Sequence, residues 1–131
     1  MKPLIKQHVP DAEFYTAEKC YITEVSNSGD DPDTSIARAR VKPGITTHWH
    51  RLKDTIERYC IISGRGLVEL GGLAPKEVKA GDVVIIPAMC QQRITNIGHD
   101  DLIFLAVCTP RFTKDIYQDT ENEQASKQAY E

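Results

Sequence analysis

The chain has 131 residues, 40% hydrophobic and 27% charged, which supplies the apolar residues of one ordinary globular domain with a single core. A net charge of −3 with no basic run excludes a general attraction to nucleic acid or an anionic membrane. No apolar stretch reaches transmembrane length and Met1–Lys6 lacks a secretion signal's apolar core, so the expected location is the cytoplasm.

Residues 1–16 mix proline, acids and aromatics without a clean period, and read as an irregular lead-in with one helical turn near Asp11. Cys20–Val25 is rich in β-formers and is expected to be the first strand. Ser26–Asp33 is a solvated loop by its turn chemistry, and it lacks the spaced ligands and closing glutamate of a calcium loop. Ile36–Val41 alternates small apolar residues with arginine. If that basic face is inside, Arg38 and Arg40 would clamp an anion; the commoner outcome turns such charges to water or to acidic partners, because burying them unpaired is costly.

Lys42-Pro43-Gly44 is a turn leading into Ile45-Thr46-Thr47-His48-Trp49-His50. In a strand, side chains two apart share a face and stand about 6–7 Å apart along the chain, so His48 and His50 can aim both imidazoles at one point. The same alternation turns Trp49 outward, where it needs cover from a dimer contact or the amino-terminal segment. Arg51–Thr55 is a polar loop. Glu57, Tyr59 and Ile61 then share a strand face that ends at the turn Ser63–Gly66. Two imidazoles and the Glu57 carboxylate would make a facial triad with open positions, which suits iron(II) or manganese. Asp54 is the rival carboxylate.

Leu67–Leu70 and Glu77–Ala80 flank Gly71–Pro75 and read as a hairpin. Gly81-Asp82 turns into Val83–Ile86, an apolar run expected to be a buried strand, which Pro87 ends. Gln91–Ile97 is the next strand, with Gln92, Ile94 and Asn96 on one face. Asn96–Asp101 is a turn in which His99 faces solvent, and Leu102–Cys108 is the last core strand, apolar on both faces and so covered on both. After Pro110, Arg111-Phe112 and Ile116-Tyr117 are placed to fold back over the barrel, while Glu121–Glu131 is a polar tail, helical or frayed. Cys20, Cys60, Cys90 and Cys108 include no CxxC pair, and read as reduced, buried thiols. Cys90 would share the Gln92 face if the strand already runs there.

Many short strands separated by Gly, Pro and Asp turns argue for an all-β, antiparallel jelly-roll barrel. At Gly44, His48-Trp49-His50, Glu57 and Gly64 the chain resembles the cupin superfamily, whose first motif has these residues in this order. The six residues between Glu57 and Gly64 match that motif; three rather than five separate Gly44 from His48, and six rather than three or four separate His50 from Glu57. Gly81, Pro87 and Asn96 match the second motif, in which Met89 replaces a glycine and Gln92 stands where the family has a third histidine.

The resemblance implies a double-stranded β-helix over about residues 36–108 within a single domain of 1–131, with 109–131 as an extension. It also implies a divalent metal (Fe, Mn, Zn or Ni) on His48, His50, Glu57 and Gln92, the last through its amide oxygen or a bound water. One carboxylate against a divalent cation leaves such a site at about +1, which attracts an anionic oxygen ligand. Tyr59 is the candidate proton donor. The expectation is a metal-dependent enzyme on a small oxygenated, anionic metabolite (an isomerase, lyase, decarboxylase or dioxygenase), or else a non-catalytic small-molecule-binding barrel. Small barrels commonly pair their edges, so a homodimer is expected, with no nucleic acid or membrane partner.

Overall fold

The computed structural model of the chain describes residues 1–123. Its strands are β1 Phe14–Tyr15, β2 Tyr21–Ser26, β3 Ser35–Val41, β4 His50–Leu52, β5 Ile56–Ser63, β6 Arg65–Leu70, β7 Lys76–Lys79, β8 Val83–Ile86, β9 Gln92–Asn96, β10 Leu102–Thr109 and β11 Tyr117–Asp119, the last preceded by a 3-10 turn at Lys114–Ile116. They form two antiparallel sheets, in the orders β1-β2-β3-β10-β5-β8 and β11-β4-β9-β6-β7. Strand β3 pairs with β10, β4 with β9, β5 with β8, and β6 with β7. This nesting is one long hairpin with its tip at Gly71–Pro75, rolled so that successive pairs fall in opposite sheets: the jelly roll. No helix among the described residues is long and apolar enough to cross a membrane.

Period-two patterning explains the core. Tyr59 and Ile61 of β5, Ile86 of β8, Ile94 of β9 and Phe104 of β10 turn inward and pack together with Val41 and Leu102. Gly64 lets β5 in one sheet run straight into β6 in the other. Its φ is +88°, and a Cβ there would stand 2.8 Å from the Asp101 carbonyl oxygen.

Three expectations change. The run Val83–Ile86 is not buried throughout: Val84 and Ile86 face the core, whereas Val83 and Ile85 are 58% and 64% exposed, because β8 is an edge strand with its outer face uncovered. The outer face of β10 is likewise only half covered, at Ile103, Leu105 and Val107. The lead-in contains β1, which turns back at Thr16–Lys19 to pair with β2; two residues are too few to show a period. The reading of Glu121–Glu131 lies largely outside the described residues.

The arginine-bearing face of β3 points away from the barrel interior. Arg40 holds Glu13 at 2.6 Å and Asp101 at 3.1 Å and lies over the Tyr21 ring, and Arg38 reaches Glu13 at 3.6 Å. These ion pairs bind the amino-terminal segment to the sheet. The small side chains Ser35 and Ala37 of the same strand line the interior cavity instead.

Candidate functional site

A cavity of about 490 Å³ lies between the barrel and the two ends of the described chain. Phe14, Glu18, Phe112 and Tyr117 come from those ends; His50, Glu57 and Cys108 come from β4, β5 and β10. Of the expected site residues, His50 and Glu57 therefore share the cavity wall, and His48, Tyr59 and Gln92 are not on it.

The reason for His48 is local. Strand β4 begins only at His50, so strict alternation does not extend back to His48. The His48 amide donates to the Glu18 carbonyl oxygen at 3.1 Å, and its Nδ1 lies 2.9 Å from Asp119 Oδ2. Asp119 is exposed, although its neighbours still remove some of its water, which works against its charge. The His48 hydrogen bond, the Glu121 amide and the proximity of the His48 and His50 rings outweigh this and hold the carboxyl below the usual range.

His50 Nδ1 is 2.8 Å from the His48 carbonyl oxygen. A carbonyl only accepts, so Nδ1 carries the hydrogen and the neutral ring keeps its lone pair on Nε2. The ring stacks on Tyr117 with centroids 5.2 Å apart, and Glu18 Oε2 lies 3.5 Å from Nδ1. Period two on β5 turns Glu57 inward, where it is 8% exposed. Burial pushes its carboxyl up from the usual 4.5; nearby His50 opposes this, Glu18 reinforces it, and Gln92 opposes it. Glu57 Oε2 accepts from the Cys108 thiol at 3.7 Å, and Oε1 has no partner.

Behind Glu57, the Tyr59 hydroxyl donates to Gln92 Oε1 at 2.5 Å and its ring packs on Phe104. Tyr59 and Gln92 thus bond each other off the cavity wall, and Gln92 Nε2, beside Glu57, also lacks a partner among the described residues. Burial, reinforced by the charges of Glu18 and Glu57, raises the Tyr59 hydroxyl and the Cys20 thiol; for Cys108 it is burial and Glu57. These groups keep their protons at neutral pH, which removes thiolate chemistry from the site.

Among the described residues no three His, Cys, Asp or Glu side chains are gathered in a geometry that could hold a metal ion. The four-donor set His48, His50, Glu57 and Gln92 does not fit a cation in this arrangement. His48 is engaged by Asp119, and Gln92 points hydrogen-bond donors rather than its oxygen toward the site. Asp54 sits in an exposed turn at φ +53° and takes no part.

All four cysteines are free, as read from the sequence. Cys108, rather than Cys90, reaches the cavity. Trp49 does not face outward as alternation suggested: it is buried within the chain itself. Arg93 lies 4.5 Å over its ring, and residues 120–121 bond its backbone. Sequence reasoning missed Glu18, Tyr117 and Asp119, which lie in short segments without periodicity; Arg111-Phe112 and Ile116-Tyr117 were legible only as segments that fold back.

The fold is a jelly-roll barrel with a cavity beneath its terminal segments, and that architecture defines the class. The Cupin_2 cupin-domain family matches residues 37–108, more than half of the chain, and the protein belongs to that family. It is 37% identical over 87 residues to the uncharacterized protein MJ1618 of Methanocaldococcus jannaschii, the match spanning 66% of each chain, just under two thirds of that relative. A predicted oxalate decarboxylase of Thermotoga maritima is 28% identical with a TM-score of 0.63, over 70% of this chain and 80% of that one. Pac13 of Streptomyces, described as a nucleoside dehydratase, is 13% identical with a TM-score of 0.73 over 90% and 92%, a likeness of fold alone.

Proposed function

We propose that this cupin is an enzyme of proton transfer, acting on a small oxygenated metabolite in the cavity, with His50 as the base and Glu57 as the polar anchor beside it. Glu57 Oε1 carries the reading: it is buried, has no hydrogen-bond partner among the described residues, and belongs to a residue on the wall of a metabolite-sized cavity. A buried acceptor left unsatisfied costs about 1–3 kcal/mol, which a ligand's donor would offset on binding. The His48 carbonyl supports the role of His50 by holding Nδ1 as the donor, so that Nε2 can take a proton. Moving a proton to and from carbon beside a carbonyl or hydroxyl group is the core of an isomerase or a lyase.

Cupins are often metal-dependent, but the donors present here support no step through a metal. The Thermotoga relative is named for a dianionic substrate; the carboxylates lining this cavity argue against a dianion here.

The test is solvent exchange. Incubation in deuterated water with keto acids, hydroxy acids, sugars and amino compounds, with and without Fe(II), Mn(II), Zn(II) or Ni(II), should place deuterium on carbon of one class. His50→Ala should abolish that incorporation. A compound that binds in the cavity without exchange or turnover under any of these conditions would favour the non-catalytic binding barrel. The Tyr59–Gln92 pair in place of a third histidine is the observation on that side.

A further inference from the structure

We infer that the cavity's ligand carries a protonated primary amine, seated against Glu57 and Glu18. The inference rests on the reading that the cavity holds a small molecule, and it names the kind. Four carboxylates line the cavity (Glu18, Glu24, Glu57 and Asp119) against two cations, Arg111 and Lys114. Lys114 is exposed to solvent, and Arg111 is tied through Nη1 to Asn27 Oδ1 at 2.9 Å. Neither cation is paired with Glu57 or Glu18 among the described residues.

The four acids differ in what already satisfies them. Asp119 is engaged by His48 and by the Glu121 amide. Glu24 is exposed. Glu18 accepts from the Cys20 thiol at 3.2 Å and the Tyr117 hydroxyl at 3.5 Å, with His50 Nδ1 also at 3.5 Å. Glu57 has the Cys108 thiol at 3.7 Å on one oxygen, and its other oxygen, with the Gln92 amide nearby, completes no hydrogen bond among the described residues. Thiols are weak donors and the Tyr117 and His50 contacts to Glu18 are long, so the two carboxyl groups line this cavity with hydrogen-bonding capacity to spare.

Placed against Glu57 and Glu18, a carboxylate or phosphate would meet like charge, and neither cation on the wall is paired with those two acids among the described residues. An alcohol would bring one donor and no charge. An ammonium brings three donors and the charge that the cluster lacks. The rings of Phe14, Phe112 and Tyr117 line the same cavity; aromatic faces attract a cation and cover an apolar body. The cavity volume of about 490 Å³ leaves room for a ring or short chain behind the amine.

Three probes of one skeleton test this by titration calorimetry on the full chain: 2-phenylethylamine, 2-phenylethanol and phenylacetate. The amine should bind at least about tenfold tighter than either of the others. Glu57→Gln should weaken the amine about tenfold or more while changing the alcohol less than about threefold, with Glu18→Gln as the second variant should Glu57→Gln fail to fold. Phenylacetate or the alcohol binding as well as the amine would overturn the inference and leave the small-molecule reading standing. An amine affinity unchanged in the folded variants would place it on the generally acidic surface and overturn the inference too. Binding of none of the three would remove the inference together with the reading beneath it.

Discussion

Glu57 is where burial acts most directly on chemistry. Its folded-state pKa lies above the unfolded value near 4.5. From about pH 4.5 up to that raised value the native chain therefore holds more protons than the unfolded one, and stability falls as pH rises through the window. Glu57→Gln keeps the shape and removes the titration. Thermal melts between pH 4 and pH 8 should show wild type losing stability relative to the variant as pH increases, by about 1 kcal/mol or more at the upper end. Parallel curves would mean that Glu57 titrates normally. The inward direction of this residue was readable from its alternation with Tyr59 and Ile61. Its missing partner was not, because the groups around it come from the separate strands β4, β9 and β10 and from Glu18 in the amino-terminal segment.

Among the elements, the turn joining the two sheets is the least forgiving. Both first-motif glycines have positive φ, +78° at Gly44 and +88° at Gly64, but only Gly64 is also crowded, with the Asp101 oxygen at 2.8 Å and the Leu102 Cα at 2.9 Å from a built Cβ. Gly44 would meet nothing within 4 Å. Gly44→Ala should therefore cost about 1–2 kcal/mol, the left-handed penalty alone. Gly64→Ala should cost clearly more, about 3 kcal/mol or above, because backbone must move. Urea denaturation of the two variants checks the ranking, and equal losses would refute it. The spacing of Gly64 from Glu57 was legible because Gly64 directly follows the unbroken β5 run that contains Glu57. The departure at His48 was not: β4 starts at His50, and the residues before it follow contacts to Glu18 and Asp119 rather than a ladder.

At the scale of the whole molecule, the rolled hairpin leaves the β8 edge open, with Val83 and Ile85 exposed beside Ile62 of the neighbouring β5. We propose that two copies pair across this edge, since an unpaired apolar strand satisfies its free backbone groups most simply against itself. Light scattering should then give twice the 14.7 kDa chain mass, and Val83→Lys with Ile85→Lys should return the single-chain mass without loss of fold. A wild-type chain already at 14.7 kDa would end the proposal.

By itself the sequence determined the longer strands and the inward faces of β5 and β9, because alternation is a local property that a segment of four to eight residues carries alone; it did not reveal β1 or β11, nor that one face of β8 is exposed. It also determined the two motif runs that mark a cupin, and that Arg38 and Arg40 would sooner meet acids than line a pocket. Only the tertiary structure decided which side chains share the cavity. Glu18, Phe112 and Tyr117 arrive there from the two ends of the described chain, and Asp119 draws His48 away from His50. Such meetings depend on how the hairpin rolls and where its flanking segments dock, distances in space that no spacing along the chain encodes.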